Sequence, residues 1–171
     1  MRALLVIEDD GPVSVGDREF VPAIAFVRTD DQRRDQQVSW DRPDRAFFAA
    51  GACHVLAFRF IKRHQNEGYH VVYLRPLNGA FGSHVYVTDG IWAFDFNGWT
   101  PEVTLLEHSR RACREIEPDW NFRRVVVEQS LDEFCLACNH RPPGGYAFDP
   151  RGRADAYLDL FDGQPPIDHR V

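Results

Sequence analysis

The chain has 171 residues, of which 44% are hydrophobic, 13% aromatic and 27% charged. This composition is typical of a folded chain and excludes an intrinsically disordered one. The length predicts one domain spanning residues 1–171. The net charge is −6, and the basic residues lie in scattered pairs such as Arg33-Arg34 and Arg123-Arg124. This distribution argues against a nucleic-acid partner.

No apolar stretch approaches the ~18 residues that a membrane span requires, and no secretion signal is recognisable. We therefore expect no membrane partner and a cytoplasmic protein. The four cysteines are then expected to be free thiols, because a reducing compartment disfavours disulfides.

In chain order, the first expected elements are two short apolar strands at residues 3–7 and 23–27, separated by a Gly11-Pro12 turn. Residues 29–45 are polar and charged, which predicts an exposed loop. The apolar run from Val55 to Ile61 is too long for one strand, and Lys62-Arg63 followed by Gly68 is a helix-stop pattern. The run predicts a largely buried helix at the centre of the fold.

The strongest local pattern is a β-hairpin over residues 83–96, in which Asp89-Gly90 separates two β-rich arms. A two-residue loop would place Thr88 opposite Ile91 and His84 opposite Asp95, on one face of the hairpin. Side chains opposed in this way approach within ~5 Å, close enough for a carboxylate to hold an imidazole.

Four further elements are expected after the hairpin. Thr100-Pro101-Glu102 predicts a helix N-terminus, with Thr100 as its cap and the helix running to about residue 116. A strand is expected at residues 122–128. The capping-box spacing of Ser130 and Glu133 predicts a helix through Cys138, and a last helix is expected at residues 154–161. The expected fold class is α+β.

Cys53, His84 and Asp95 form a candidate catalytic triad. An imidazole oriented by a carboxylate is the base half of such a triad, and it needs a nucleophile. Gly51-Ala52-Cys53 lies where the buried helix begins, and a helix N-terminus lowers a thiol's pKa and offers an N–H group to an oxyanion. The sequence thus predicts a thiol enzyme with no cofactor and no metal.

These motifs resemble the papain-like and transglutaminase-like superfamily of cysteine enzymes over about residues 49–98. Gly51-Ala52-Cys53 looks like its Gly-x-Cys helix start, and the segments holding His84 and Asp95 look like its His and Asp strands. The resemblance implies that Cys53 is the nucleophile, His84 the general base and acid, and Asp95 the orienting group, with Asn97 as a lesser candidate for that third role. A buried N-terminal helix carrying the cysteine would pack on an antiparallel sheet.

The chain departs from that pattern at two points. His54 follows the cysteine where an aromatic residue is common in the superfamily, and no glutamine lies a few residues upstream to serve as oxyanion donor. Gln36, Gln37 and Trp40 are the candidates for that role.

Within the superfamily, the chain is similar to the protein N-terminal glutamine amidohydrolases in the order of its Cys helix and its His and Asp strands. The segments 122–127 and 131–134 look like the following strand and its continuation. The resemblance implies an amidohydrolase or acyltransferase that acts on a glutamine side chain or a peptide through a thioester. Its partner would be a peptide or protein substrate, with carboxylates near the cleft to bind a free amino terminus.

Two alternatives stay open. The first is a non-catalytic binding module on the same scaffold. The second is a small zinc-stabilised domain, because Cys135-x-x-Cys138 with His140 resembles part of a zinc site that Cys113 or His108 would complete. Cys135 and Cys138 also fall on the apolar stripe of their helix, as core residues would. The remaining histidines, His54, His64, His70 and His169, are expected to be surface or locally bonded residues.

Overall fold

The computed structural model describes residues 19–65 and 67–166 and has an α+β fold, as predicted. The elements, in chain order, are α1 (Asp30–Arg34), α2 (Gln36–Trp40), α3 (Asp44–Ala49), α4 (Cys53–Arg63), β1 (His70–Pro76), β2 (His84–Thr88), β3 (Trp92–Asp95), β4 (Gly98–Pro101), α5 (Glu102–Arg114), β5 (Phe122–Val127), α6 (Leu131–Ala137) and α7 (Pro150–Leu158). In the described part of the chain, no helix is long and apolar enough to cross a membrane.

The five strands form one antiparallel sheet in the order β4-β3-β2-β1-β5. Alternate residues of β2 and β3 enter two different apolar clusters, because successive side chains of a strand point to opposite faces. Val85, Val87 and Phe94 pack in the larger cluster with α4 and α7. Tyr86 and Ala93 pack in the smaller cluster with Leu105 of α5. Both faces of the sheet are therefore covered by helices.

The buried central helix is confirmed as α4, and it begins at Cys53. Its apolar side chains, including Val55, Leu56 and Phe60, are almost completely buried. On its outer side, Arg59 donates to both carboxylate oxygens of Asp155 in α7, at 2.9 and 2.5 Å. Such a two-pronged ion pair fixes the relative orientation of the two helices.

The region before α4 differs from expectation. The predicted strand at residues 23–27 is wrong, since Ala23–Phe26 is a 3-10 turn that follows Pro22 and has no strand partner among the described residues. Short apolar runs do not distinguish a strand from a turn by periodicity. The predicted loop at residues 29–45 is also wrong, because it contains α1, α2 and the start of α3. Local caps form these helices: Thr29 and Gln32 make a capping box, and Asp35 caps α2. The strand predicted at residues 3–7 lies outside the described residues.

The hairpin is present, but its predicted register is wrong by two residues. Thr88 pairs with Ala93 and not with Ile91. The side chain of Asp89 explains the longer loop, because its Oδ1 accepts from the backbone N–H groups of Ile91 and Trp92 at 2.9 and 2.7 Å. A shift of two residues leaves every side chain on its original face. His84 and Asp95 therefore still share a face, although they are diagonal neighbours and not directly opposed.

The predicted helix after residue 100 is confirmed as α5, but its cap is not Thr100. Thr100 and Pro101 belong to β4, a strand that the sequence did not predict, and the helix begins at Glu102. The Glu102 side chain is buried, where it accepts from the Tyr86 hydroxyl at 2.6 Å and from Arg124 Nε at 2.9 Å. The strand β5 and the helix α6 confirm their predictions, with the capping box of Ser130 and Glu133 formed as expected. The last helix is present as α7, but it begins at Pro150, four residues before its predicted start, because Asp149 caps it there, and it ends at Leu158.

Candidate active site

Cys53 occupies the first position of α4, after a turn that requires glycine. Gly51 has φ +131°, a backbone conformation that other residues adopt only with strain. The Tyr146 hydroxyl donates to the Gly51 carbonyl at 2.6 Å, which holds this turn in place. No side chain caps the helix at Ala52, so the first N–H groups of α4 have no side-chain acceptor. An anionic oxygen next to the Cys53 thiol would find these donors.

His84 and Asp95 form the predicted imidazole–carboxylate pair. The His84 Nε2 atom lies 2.9 Å from Asp95 Oδ2, and both side chains are almost fully buried. Asp95 is itself held by Asn97, whose backbone N–H and side-chain amide donate to Oδ1 at 2.8 and 3.1 Å. Asn97 therefore supports Asp95 and does not replace it as the group that orients the imidazole.

The second nitrogen of His84 is available to the thiol. Nδ1 is buried and makes no hydrogen bond of ordinary geometry with the described residues, while the ring interacts electrostatically with Cys53. Burial by itself disfavours the charged form of His84, but the hydrogen bond with Asp95 and the electrostatic interaction with Cys53 outweigh it and raise the pKa of His84 to about 10. The structure thus brings Cys53, His84 and Asp95 together in one chain of contacts.

Burial also raises the pKa of the Cys53 thiol, but the neighbouring imidazoles have the larger effect. Polar interactions with the imidazoles of His54 and His84, together with the positive charges of the two rings, bring the pKa of Cys53 well below its ordinary value. A thiolate paired with an imidazolium is the reactive form of a catalytic cysteine.

His54 is the site residue that the sequence reasoning missed. It was expected at the surface or bonded locally, yet it is 1% exposed, and its Nε2 lies 2.8 Å from the carbonyl of Arg141, far along the chain. A carbonyl only accepts, so Nε2 carries the proton of neutral His54, and Nδ1 remains free to face a sulfur. Burial disfavours the cation, but contacts with Cys135 and Cys53 raise the pKa of His54 to about 9. Its place directly after Cys53 in a buried helix was the available signal.

The thiol opens into a cavity of about 900 Å³. Its lining includes Cys53, His54 and His84, together with Arg28, Arg33 and Arg141. Among the described residues, no aspartate or glutamate lines it. The carboxylates expected to bind a free amino terminus are therefore not found among the described residues that line this cavity.

The proposed oxyanion donors do not reach this cavity. Gln36, Gln37 and Trp40 are missing from its lining. The Gln36 side-chain oxygen accepts from Arg141 behind the lining, and the Gln37 side-chain amide donates to Asp41. The N-terminal N–H groups of α4 are the backbone donors next to Cys53.

The candidate zinc ligands have other partners. Cys135 Sγ lies 3.6 Å from the carbonyl of Arg141, and His140 Nδ1 lies 3.0 Å from the carbonyl of Cys138. Over residues 19–65 and 67–166, no group of three or more His, Cys, Asp or Glu side chains is placed to hold a metal ion. All four cysteines are free thiols.

Comparisons of the chain with protein-family models, with curated proteins and with solved structures found no match. The geometry of the site therefore carries the functional argument by itself.

Proposed function

We propose that this protein is a thiol-dependent amidohydrolase or acyltransferase of papain-like or transglutaminase-like type. The observation that supports the proposal is the buried arrangement of Cys53, His84 and Asp95, of which the first two line a cavity large enough for a peptide or a glutamine side chain. A surface His–Asp pair would contribute under ~1 kcal/mol and would need no thiol beside it. A buried His–Asp pair next to a cysteine that lines a cavity favours catalysis.

The reaction follows from the positions of the protons. The Cys53 thiolate attacks the amide carbonyl, a carbon–sulfur bond forms, and the carbonyl oxygen becomes an anion near the N-terminal N–H groups of α4. His84 gives its Nδ1 proton to the leaving nitrogen, which departs as ammonia or an amine and leaves a thioester on Cys53. Neutral His84 then takes a proton from water, which attacks the thioester to release the acid and the thiol, or from an amine, which gives a new amide.

Asp95 is the positioning residue of this triad. Its carboxylate keeps a proton on His84 Nε2, so that Nδ1 is the nitrogen that exchanges a proton with Cys53. Asn97 fixes Asp95 in turn, and Tyr146 fixes the turn before Cys53. The helix α4 and the strands β2 and β3 thus each supply one residue of the proposed triad.

The test uses a blocked glutamine dipeptide with hydroxylamine as the acceptor. Turnover would release ammonia and form a hydroxamate, which together report the thioester. We expect wild-type activity, none in Cys53→Ser and at least a ~100-fold loss in His84→Ala, because general acid–base catalysis contributes ~100-fold or more. A Cys138→Ser variant is the matched control, since that thiol lies beside the same cavity but not at the triad.

The non-catalytic alternative predicts a different result. A binding module on this scaffold would leave Cys53 no more reactive toward iodoacetamide than Cys138. Equal alkylation rates at the two thiols, with no change in His84→Ala, would refute the proposed function.

A further inference from the structure

The cavity above Cys53 carries an unbalanced positive charge. Three arginines, Arg28, Arg33 and Arg141, line it, and no acidic side chain among the described residues does. A fourth, Arg42, lies behind Gly51 and is buried, with its guanidinium donating to the carbonyls of Ser39 and Ala46. The net charge of the whole chain is negative, so the positive charge of this cluster is opposite in sign to that of the chain as a whole.

Arg28 is the member of the cluster that has no partner among the described residues. It is half-buried, and among the described residues it makes no hydrogen bond or ion pair. The pKa of Arg28 is lowered mainly by burial and, to a smaller extent, by the positive charges of Arg141 and Arg33. A guanidinium that is partly removed from water and faces like charges is destabilised unless an anion joins it.

The other two lining arginines are already oriented. Arg141 donates to Gln36, and its guanidinium stacks 5.2 Å from the ring centre of Tyr146. Arg33 lies 3.2 Å from Asp30, an exposed ion pair that neutralises part of its charge. Arg28 and Arg141 are therefore the two side chains best placed to meet a ligand.

The cluster lies close to the reacting sulfur. A Cβ atom at Gly51, two residues before Cys53, would lie 3.5 Å from Arg28 Nη1 and 3.3 Å from Arg42 Nη2. The absence of a side chain at Gly51 thus lets the guanidinium groups approach the turn that carries the nucleophile. Guanidinium forks bind carboxylate and phosphate groups through paired hydrogen bonds.

We propose that Arg28 and Arg141 form an anion subsite beside Cys53, so that the preferred substrate carries a carboxylate or phosphate near the bond that is cleaved. The statement about the preferred substrate rests on the proposed function. The anion subsite itself requires only that the thiol can be alkylated. An anion subsite also contradicts the expectation that the substrate presents a free amino terminus, because the arginines would repel a cationic group here.

The test compares two alkylating reagents at the same thiol. Iodoacetate is an anion and iodoacetamide is its neutral counterpart, and the ratio of their rates at Cys53 cancels changes in the thiolate population. We expect the iodoacetate-to-iodoacetamide ratio to be higher at Cys53 than at Cys138, measured in one digest by peptide mass spectrometry. In Arg28→Gln the ratio should fall about three- to tenfold, as expected for removing one unit charge at close range, and Arg28→Lys should restore part of it.

Arg34→Gln is the matched control, because it removes the same charge from an exposed position of α1 that does not line the cavity. The subsite is refuted if Arg28→Gln and Arg141→Gln leave the ratio at its wild-type value, or if Arg34→Gln lowers it equally. A failure of the proposed function looks different, since both reagents would then react slowly at Cys53 in the wild type.

A competition arm distinguishes the two anions. Glutarate and inorganic phosphate are each tested for protection of Cys53 against iodoacetamide, in the wild type and in Arg28→Gln. Protection by glutarate that Arg28→Gln abolishes identifies a carboxylate subsite, and the same result with phosphate identifies a phosphate subsite. Protection by neither at tens of millimolar refutes a binding site for these groups.

Discussion

Replacing Asp95 with asparagine tests the link between the carboxylate and the thiol. The substitution keeps the side-chain shape, and the amide oxygen can still accept from Asn97. In the unsubstituted protein, His84 Nε2 lies 2.9 Å from a charged carboxylate oxygen of Asp95. In the variant, the group at this place is an uncharged amide. If its NH₂ takes that place, His84 must present a bare Nε2 and carry its proton on Nδ1. The imidazolium that stabilises the Cys53 thiolate then loses its principal support.

The size of the effect follows from that one hydrogen bond. Hydrogen bonds to charged groups contribute about 1.5–3 kcal/mol, and 1.36 kcal/mol corresponds to one pKa unit. Because both partners are buried, solvent does not screen the loss. We therefore expect the pKa of Cys53 to rise by about one to two units, and alkylation on the acidic side of that pKa to slow by about 10- to 100-fold.

The assay is the rate of iodoacetamide alkylation at Cys53 across a pH series. Asp89→Asn is the matched control, since Asp89 lies in the turn of the same hairpin and an asparagine oxygen can keep its bonds to Ile91 and Trp92. Circular dichroism would confirm that both variants fold. An unchanged pH midpoint in folded Asp95→Asn would show that Asp95 does not control the state of His84, and the triad reasoning would fail.

Four further outcomes are expected from the same structure. The proposed amidase activity should follow a bell-shaped pH profile, because it needs both the Cys53 thiolate and protonated His84. The pKa of Cys53 is lowered and the pKa of His84 is raised to about 10. A rate that keeps rising through pH 10 would contradict the ion pair. The stability that His84 gains from its partners should likewise be full below its ordinary pKa and be lost as pH rises through about 10. Gly98→Ala should destabilise the fold by about 2–4 kcal/mol in urea unfolding, because the residue has φ +84° and its new Cβ would lie 2.7 Å from the Phe161 ring. Gly90 has φ +95° and open space around it, so Gly90→Ala should lower the free energy of unfolding only by the backbone strain, about 1–2 kcal/mol. Equal decreases in the free energy of unfolding at the two sites would refute the steric explanation. Finally, prolonged treatment with a chelator should leave the thermal midpoint unchanged, since Cys135 and His140 contact backbone carbonyls; a lowered midpoint would revive the zinc-stabilised alternative.

The sequence by itself was sufficient to predict the elements whose formation depends on residues close to one another along the chain. The apolar run after Cys53, ended by Lys62-Arg63, is sufficient to predict α4, and the spacing of Ser130 and Glu133 is sufficient to predict the start of α6. The shared face of His84 and Asp95 was also predictable, because strand side chains alternate with a period of two and an even register error does not move them. Three of the side chains at the site could therefore be named before the fold was known.

Tertiary structure decided everything that depends on distant partners. His54 bonds to the carbonyl of Arg141, and Arg28 meets Arg141 at the same cavity, although long stretches of chain separate these residues. Local patterns carry no signal for such contacts. The strand β4 was missed for the same reason, since its short segment becomes a strand only by pairing with β3. Local sequence patterns thus proposed Cys53, His84 and Asp95 as the reacting groups, whereas the packing of remote segments set the charge of the cavity beside them and hence the substrate that we propose it selects.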